Sequence, residues 1–586
     1  MMADGDSRGD GAGDRLLHRR SDDGRGPSLA ERLSDRLAEA GFRSPIHRMR
    51  LRGRFPLKLL GVPEDPVPGD PDRGARLMAG RLYHGGHGVP LATGALDSRD
   101  APPGWRRWLH GWSWLRDAAA HPPASAAEAQ RIEHLARRWL ERFPDYDAEA
   151  WAPDLTGRRV MMALAHAPLL IPRHDHVHRS AVLNAIARWT RHLDQAVRRM
   201  PDGPARRDAV AGLYAGALLI PGQEERLARA EALLAAGCDA LLAAGNAPPL
   251  DVAILGDTLL LLAACHAARG ARVGPAVAGG LAATRARLAA LAMGDGLVAP
   301  WHGGQPAPAQ MARLGVAEAS APDPGGFVRI SAGGTVVVMD ASPPPSRRQT
   351  VAPHASTLAF VMSDGDVPVI VSCGGAFHAA PDGLLPLALP PALAEGLQVT
   401  AAHSTLVLDD CNSTRLAPAA SGRSVGVDEV EVARRVLPEG ELVEAVHDGY
   451  RGRFGLLHQR RLWLAADGGD LRGEDRLLPA SGMRRLIAGH PVPVAARFHL
   501  APGAVVSLTE DGSGALVRIA GARPRDALAW SFRASLPAGF RLAIEESVTV
   551  DWQGEVRPTR QLVLTGPASR AAPPALAWAF RRQTRR

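Results

Sequence analysis

Lysine is almost missing from this chain of 586 residues. Lys58 is the only one, and nearly all positive charge is arginine. The formal net charge is +8, but basic residues are interleaved with acids along the whole length. A nucleic-acid protein gathers its basic residues on one face, so that class of partner is set aside. An anionic polymer stays open as a partner, because arginine pairs with carboxylates through a bidentate fork. Cysteine is scarce too: Cys238, Cys265, Cys373 and Cys411 are scattered, without a C-x-x-C pair. That excludes a zinc ribbon and predicts four buried free thiols. No apolar run reaches the roughly 18 residues that would span a bilayer. Residues 1–23 are rich in Gly, Asp and Arg and lack the apolar stretch of a secretory signal. Residues 1–27 therefore read as a disordered leader, and the sequence alone points to the cytoplasm. No P-loop, dinucleotide fingerprint or G-x-S-x-G elbow occurs.

What is present divides into two halves. Hydrophobic content of 46% and charged content of 22% are those of a globular protein, and the length calls for more than one domain. Residues 28–304 carry helical periodicity. Ser28 with Glu31, and Ser125 with Glu128, have capping-box spacing. Helices are expected over 125–143, 182–200, 207–220, 224–244, 251–268 and 276–293, with turns such as Pro201-Asp202-Gly203 between them. Short loops between successive helices imply antiparallel neighbours, hence a bundle, solenoid or toroid. Residues 305–326 read as a linker. From 327 to 586 the period becomes that of strands, starting with two runs about Gly333-Gly334, and an antiparallel sandwich is expected.

Two histidine blocks stand out in the second half. One is His354-Ala355-Ser356-Thr357-Leu358-Ala359-Phe360. The other is His403-Ser404-Thr405-Leu406-Val407-Leu408-Asp409-Asp410. Each precedes an alternating run of strand type. Two further constellations have alternative readings. His174-Asp175-His176-Val177-His178 is either a metal site or a solvated loop in which Asp175 caps the next helix. Trp105, Trp108, Trp112 and Trp114 either line a sugar cleft or fill a helical core.

The order of halves and the histidine blocks together resemble the heparinase II/III-like proteins, which belong to the uronic-acid polysaccharide lyases. The resemblance runs from about Leu29 to the end. It is carried by Gly294-Asp295-Gly296-Leu297, Trp301-His302-Gly303-Gly304, both histidine blocks, His447-Asp448-Gly449-Tyr450 and the 453–461 run, and by Arg52-Gly53-Arg54-Phe55-Pro56 in an alphaproteobacterial-looking branch. It implies an (α/α) incomplete toroid followed by an antiparallel β-sandwich, with a cleft between them. It implies a carbon–oxygen lyase that cleaves an acidic polysaccharide by β-elimination, acting in the cell envelope or periplasm. A base removes the sugar C5 proton, an acid protonates the leaving oxygen, and donors hold the enolate. On that reading His354, His403, His302 and Tyr214 are the expected catalytic groups. Arg453, Arg461, Tyr450 and Trp301 are the expected substrate contacts.

The sequence departs from the family pattern at several places. Ala352 stands where the family has its sandwich histidine. His354 and His403 match positions that hold zinc in zinc-bearing members, and the remaining acidic ligand falls on about Ser372 or Cys373. No cofactor is expected, with a structural zinc as the alternative. The toroid's polar pair falls on Pro204 and Ala205, and its tyrosine on Asp251. A catalytically degenerate member that binds an anionic glycan, or serves envelope assembly, is the competing reading.

Overall fold

The computed structural model describes residues 17–20, 37, 39–53, 56, 58–92, 94–97, 100–171, 175–316, 325–380, 383–417, 424–480, 491–520, 527–569, 571 and 573–583. The capping pair Ser28/Glu31, His174, Arg54 and Phe55 lie outside them. The first half is helical: α1 (Pro45–Arg50), α2 (Pro71–Met78), α3 (Pro103–His110), α4 (Trp114–Ala120), α5 (Ala126–Arg142), α6 (Pro153–Ala165) and α7 (Ala167–Leu170). There follow α8 (His176–Ala196), α9 (Pro204–Leu219), α10 (Glu224–Leu242), α11 (Pro249–Arg269), α12 (Pro275–Ala290) and α13 (Pro308–Leu314). Proline opens many of them, where its fixed φ suits the first turn and its missing N–H is not needed. Ser125 accepts the Glu128 N–H, and the Glu128 carboxylate reaches back to Ala124 N–H. Asp175 caps α8 by accepting the His178 N–H at 2.8 Å.

The helices pack closely because small residues allow it. A Cβ built on Gly212 of α9 would lie 2.3 Å from the Gly157 Cα of α6. Trp105, Trp108, Trp112 and Trp114 are all buried, so this cluster is core rather than cleft. The fully buried Arg159 guanidinium lies 4.2 and 4.5 Å from the ring centres of Trp139 and Trp189, which meet each other edge to face. No carboxylate among the described residues is bonded to it. Arg159 donates instead to the His110 and Ala150 carbonyls, both at 2.7 Å, and the two aromatic faces supply the rest of its attraction. Helix α11 is 21 residues long with mean hydropathy 1.7, long and apolar enough to cross a membrane by composition. The sequence predicts a helix over 251–268 here, and Asp251 and Asp257 interrupt its apolar run. Two thirds of that stretch is buried against neighbouring helices, as a central helix of the toroid requires.

The second half is two packed antiparallel sheets. The outer sheet runs β1 (Leu17–Arg20), β11 (Glu429–Leu437), β12 (Gly440–His447), β13 (Leu456–Ala465), β14 (Asp470–Pro479), β21 (Ala575–Arg582), β18 (Leu528–Ser535), β17 (Gly514–Ile519) and β16 (Val505–Leu508). Its mate runs β19 (Arg541–Val550), β20 (Val556–Ala568), β15 (Val492–Leu500), β7 (Val367–Val371), β6 (Phe360–Asp364), β5 (Thr335–Asp340) and β4 (Phe327–Ala332), with β10 (Leu406–Leu408) beside β15. Two small hairpins complete the strands, β2 (Arg81–His84) with β3 (His87–Pro90) and β8 (Phe377–Ala380) with β9 (Gly383–Pro386). Gly333 and Gly334 turn β4 into β5 with φ of 49° and 88°, as the sequence predicted. Phe360, Phe498, Phe532, Trp578 and Phe580 fill the space between the sheets.

Two boundaries differ from expectation. Within the leader, Leu17–Arg20 pairs antiparallel with β11, so this part is ordered as an edge strand. Within the linker, α13 packs on α11, where Gln310 and Arg313 bond Asp257, and so belongs to the helical half.

Candidate functional site

The three histidines singled out by sequence come together, but inside the protein. His302, His354 and His403 are at most 1% exposed. His302 sits in a left-handed turn with φ of 50°. Its Nδ1 accepts the His354 N–H at 3.2 Å, which turns its Nε2 toward Asp340, 3.5 Å away. The Gly303 N–H donates to His354 Nε2 at 3.0 Å. The His403 ring lies 5.2 Å from that of His354, and neither of its nitrogens has a hydrogen-bond partner among the described residues. Burial pushes the pKa of His302 down to about 3, and burial with the neighbouring rings holds those of His354 and His403 well below the ordinary value. The three rings are held neutral by burial and closed to solvent.

A zinc donor set does not assemble around these rings. His354 and His403 would supply two ligands, short of the three or four that zinc takes. Cys373 turns instead to His499 Nδ1 at 3.7 Å and Ser547 Oγ at 3.8 Å. Among the described residues no three His, Cys, Asp or Glu side chains gather in a metal-binding arrangement.

An open cleft lies a few residues away, between the halves. It encloses about 790 Å³ and is walled by α9, α10 and α11, by the 348–351 loop and by β9. Pro204, Ala205 and Asp251 line it, as do arginines paired with aspartates. Arg107 meets Asp154 at 2.6 Å, Arg158 meets Asp208 at 2.6 Å, and Arg206 meets Asp202 at the rim. Arg207 approaches Asp251 at 3.6 Å. Arg348 and Val351 belong to the same wall, and from Ala352 onward the chain enters the interior. Ala352, the position of the family's sandwich histidine, is itself fully buried against Gly303. Among the described residues of the cleft lining there is neither tyrosine nor histidine.

The remaining nominated residues make their contacts away from the cleft lining. The Tyr214 hydroxyl donates to Glu231 at 2.6 Å and meets His266 at 2.9 Å, tying α9 to α10 and α11; burial raises its pKa far above the ordinary phenol value. Trp301 stacks on Phe327 in the interior. Tyr450 is buried and donates to the Leu406 carbonyl at 2.9 Å. Arg453 is exposed, bonded to Asp409 and to Cys411, which is only half-buried. Arg461 pairs with Glu444 and Glu474 on the face of the outer sheet. None of the eight lines the cleft. Spacing along the chain gave no sign of Arg158, Arg207, Asp208 and Arg348, because they are ordinary charged positions until α6, α9 and the 348–351 loop converge.

Residues 316–579 match the heparinase II/III-like C-terminal family. Over 518 residues the chain is 30% identical to FtsZ-localized protein C of Caulobacter vibrioides, covering 81% of this chain and 84% of that protein. Among solved structures it is similar to heparinase III, at 11% identity and a TM-score of 0.63, over 94% of this chain and 92% of the other. It is also similar to the heparan sulfate lyase HepC from Pedobacter heparinus, at 13% identity and a TM-score of 0.60, over 88% and 83% of the two chains. At such identities the likeness to the two lyases is one of fold, an (α/α) toroid followed by a β-sandwich.

Proposed function

The chain belongs to the heparinase II/III-like family, and from that premise we propose that its cleft binds an acidic saccharide without cleaving it by β-elimination. The composition of the cleft wall carries this reading: arginines and aspartates line it, and tyrosine and histidine are missing from the described lining. Elimination needs a base within reach of a sugar C–H and an acid beside the leaving oxygen. The tyrosine and histidines nominated for those tasks are buried elsewhere, bonded into the interior. Binding asks for less. Arginine's planar fork suits carboxylate and sulfate groups, and an incoming anion can exchange with the aspartates now paired to Arg107, Arg158 and Arg207.

The test uses purified protein and a panel of uronic-acid polymers together with heparan sulfate. Binding is followed by calorimetry and cleavage by the ultraviolet absorbance of unsaturated chain ends. Saturable binding without absorbance is expected. An absorbance rise that depends on enzyme concentration restores the lyase reading, and absence of binding across the panel removes both.

A second reading concerns the setting. The relative that is 30% identical over most of both chains is named for localisation with FtsZ, which supports a role for this chain at the same place, in building the envelope. A fluorescent fusion that fails to follow FtsZ in its own host would refute it.

A further inference from the structure

One carboxylate in the cleft differs from its neighbours. Asp154 and Asp208 each hold an arginine at 2.6 Å. Asp251 is 4% exposed, has Arg207 only at 3.6 Å from Oδ1, and leaves Oδ2 buried with no hydrogen-bond partner among the described residues. It belongs to the first turn of α11 and to the cleft wall. A buried, unpaired oxygen is unfavourable when ionised and tolerable when it carries a proton.

We propose that Asp251 takes up a proton when an anionic saccharide enters the cleft, because the ligand's carboxylate or sulfate competes with it for Arg207. This rests on the reading of the cleft as an acidic-saccharide site. The proton comes from solvent and adds to the carboxylate, which becomes a neutral acid and a hydrogen-bond donor to the bound anion. The group is already poised for this: burial pushes its pKa up to about 6, with Asp208 adding to the rise and Arg207 and Thr350 opposing it. The other titratable or charged groups on elements packed against α11 are committed or neutral. Cys238 of α10 is a neutral thiol, pushed up to about 11, and burial lowers His378 of β8. Arg287 of α12 donates to the Ala244 and Gly245 carbonyls, and Arg313 of α13 pairs with Asp257 two turns along. Arg348 lines the same wall.

The experiment is calorimetric titration of the full chain with a heparan sulfate oligosaccharide and, as a carboxylate-only probe, an oligogalacturonate. Buffers of different ionisation enthalpy report the protons taken up per ligand bound. A rise of about one unit on binding gives an uptake of about half a proton, greatest near pH 6.5, and a several-fold gain in affinity from about pH 7.5 to about pH 5.5, within the factor of ten that one unit of pKa change allows. Asp251→Asn, which keeps the shape and removes the titration, should lose both the uptake and the pH dependence while still binding. Circular dichroism and thermal unfolding confirm that the variant is folded. Binding of the parent without proton exchange, or a pH dependence retained by the variant, overturns the inference and leaves the saccharide reading standing. No binding of either probe at any of these pH values overturns both.

Discussion

Replacing His354 by alanine asks whether the first histidine block serves the cleft or the interior. The ring is 1% exposed and accepts the Gly303 N–H at 3.0 Å. Truncation removes a buried side chain, which by comparison with other large-to-small changes costs about 2–4 kcal/mol. It also leaves the Gly303 N–H without that partner, a further ~1–3 kcal/mol. Taken at the middle of both ranges, the loss is about 5 kcal/mol. His354→Phe keeps a ring in the space, a slightly larger one, and removes the acceptor, so it should lose about 1–3 kcal/mol from the Gly303 N–H with a smaller overpacking cost added. The assay is denaturant unfolding of both variants, followed by saccharide binding per folded molecule. Alanine should destabilise more than phenylalanine, and neither should change the affinity of the folded protein. An alanine variant that kept its stability and lost binding would refute the reasoning, because the ring would then belong to the site.

Other consequences follow from the same physics. His302, His354, His403, His447 and His499 are all held neutral by burial, His302 at about 3 and His499 at about 4. The unfolded chain protonates them near 6.5, so stability should be level above that pH and fall below it by about 1 kcal/mol per pH unit for each histidine; an unfolding midpoint unchanged between about pH 6.5 and 4.5 would contradict this. In the sandwich, the fully buried Arg460 pairs twice with Asp475 and donates to the Leu358 and Ser404 carbonyls, so it joins the two histidine blocks to the outer sheet. Asp475→Asn leaves that guanidinium without its counter-ion and should cost about 3–5 kcal/mol, whereas combining Arg460→Met with Asp475→Leu should recover much of it. A single variant within experimental error of the parent in chemical unfolding would show that the pair is not the pin described. Gly212→Ala puts a methyl group against the Gly157 backbone and should lower the thermal midpoint by the equivalent of about 2 kcal/mol; an unchanged midpoint would mean that α6 and α9 do not approach as closely as they do here.

Sequence and structure agree most where chemistry is local. Proline at the first helical turn, the Ser125/Glu128 box, the Asp175 cap and the Gly333-Gly334 hairpin each act within a few residues, so each could be read from the chain. Periodicity gave the helical half and the sheet half in their order, since a buried face imposes a period of 3.6 or 2 on any sequence that keeps it dry. The fold and the family were therefore written in the sequence itself, with the histidine blocks as their signature.

What the sequence could not decide is which side of a wall a residue faces. His354 and Val351 are three residues apart, yet one is sealed beside Gly303 and the other lines the cleft. A short loop crosses from surface to interior in that distance, and no periodic pattern records the crossing. The Trp cluster and Tyr214 went to the core for the same reason: an aromatic side chain has the same identity in a cleft and in an interior, and only its neighbours distinguish the two. The cleft's own residues, Arg158, Arg207, Asp208, Asp251 and Arg348, come from α6, α9, α11 and the loop before the first histidine block. They become a site only because tertiary packing brings those segments together, and the unpaired oxygen of Asp251 exists only in that assembled environment.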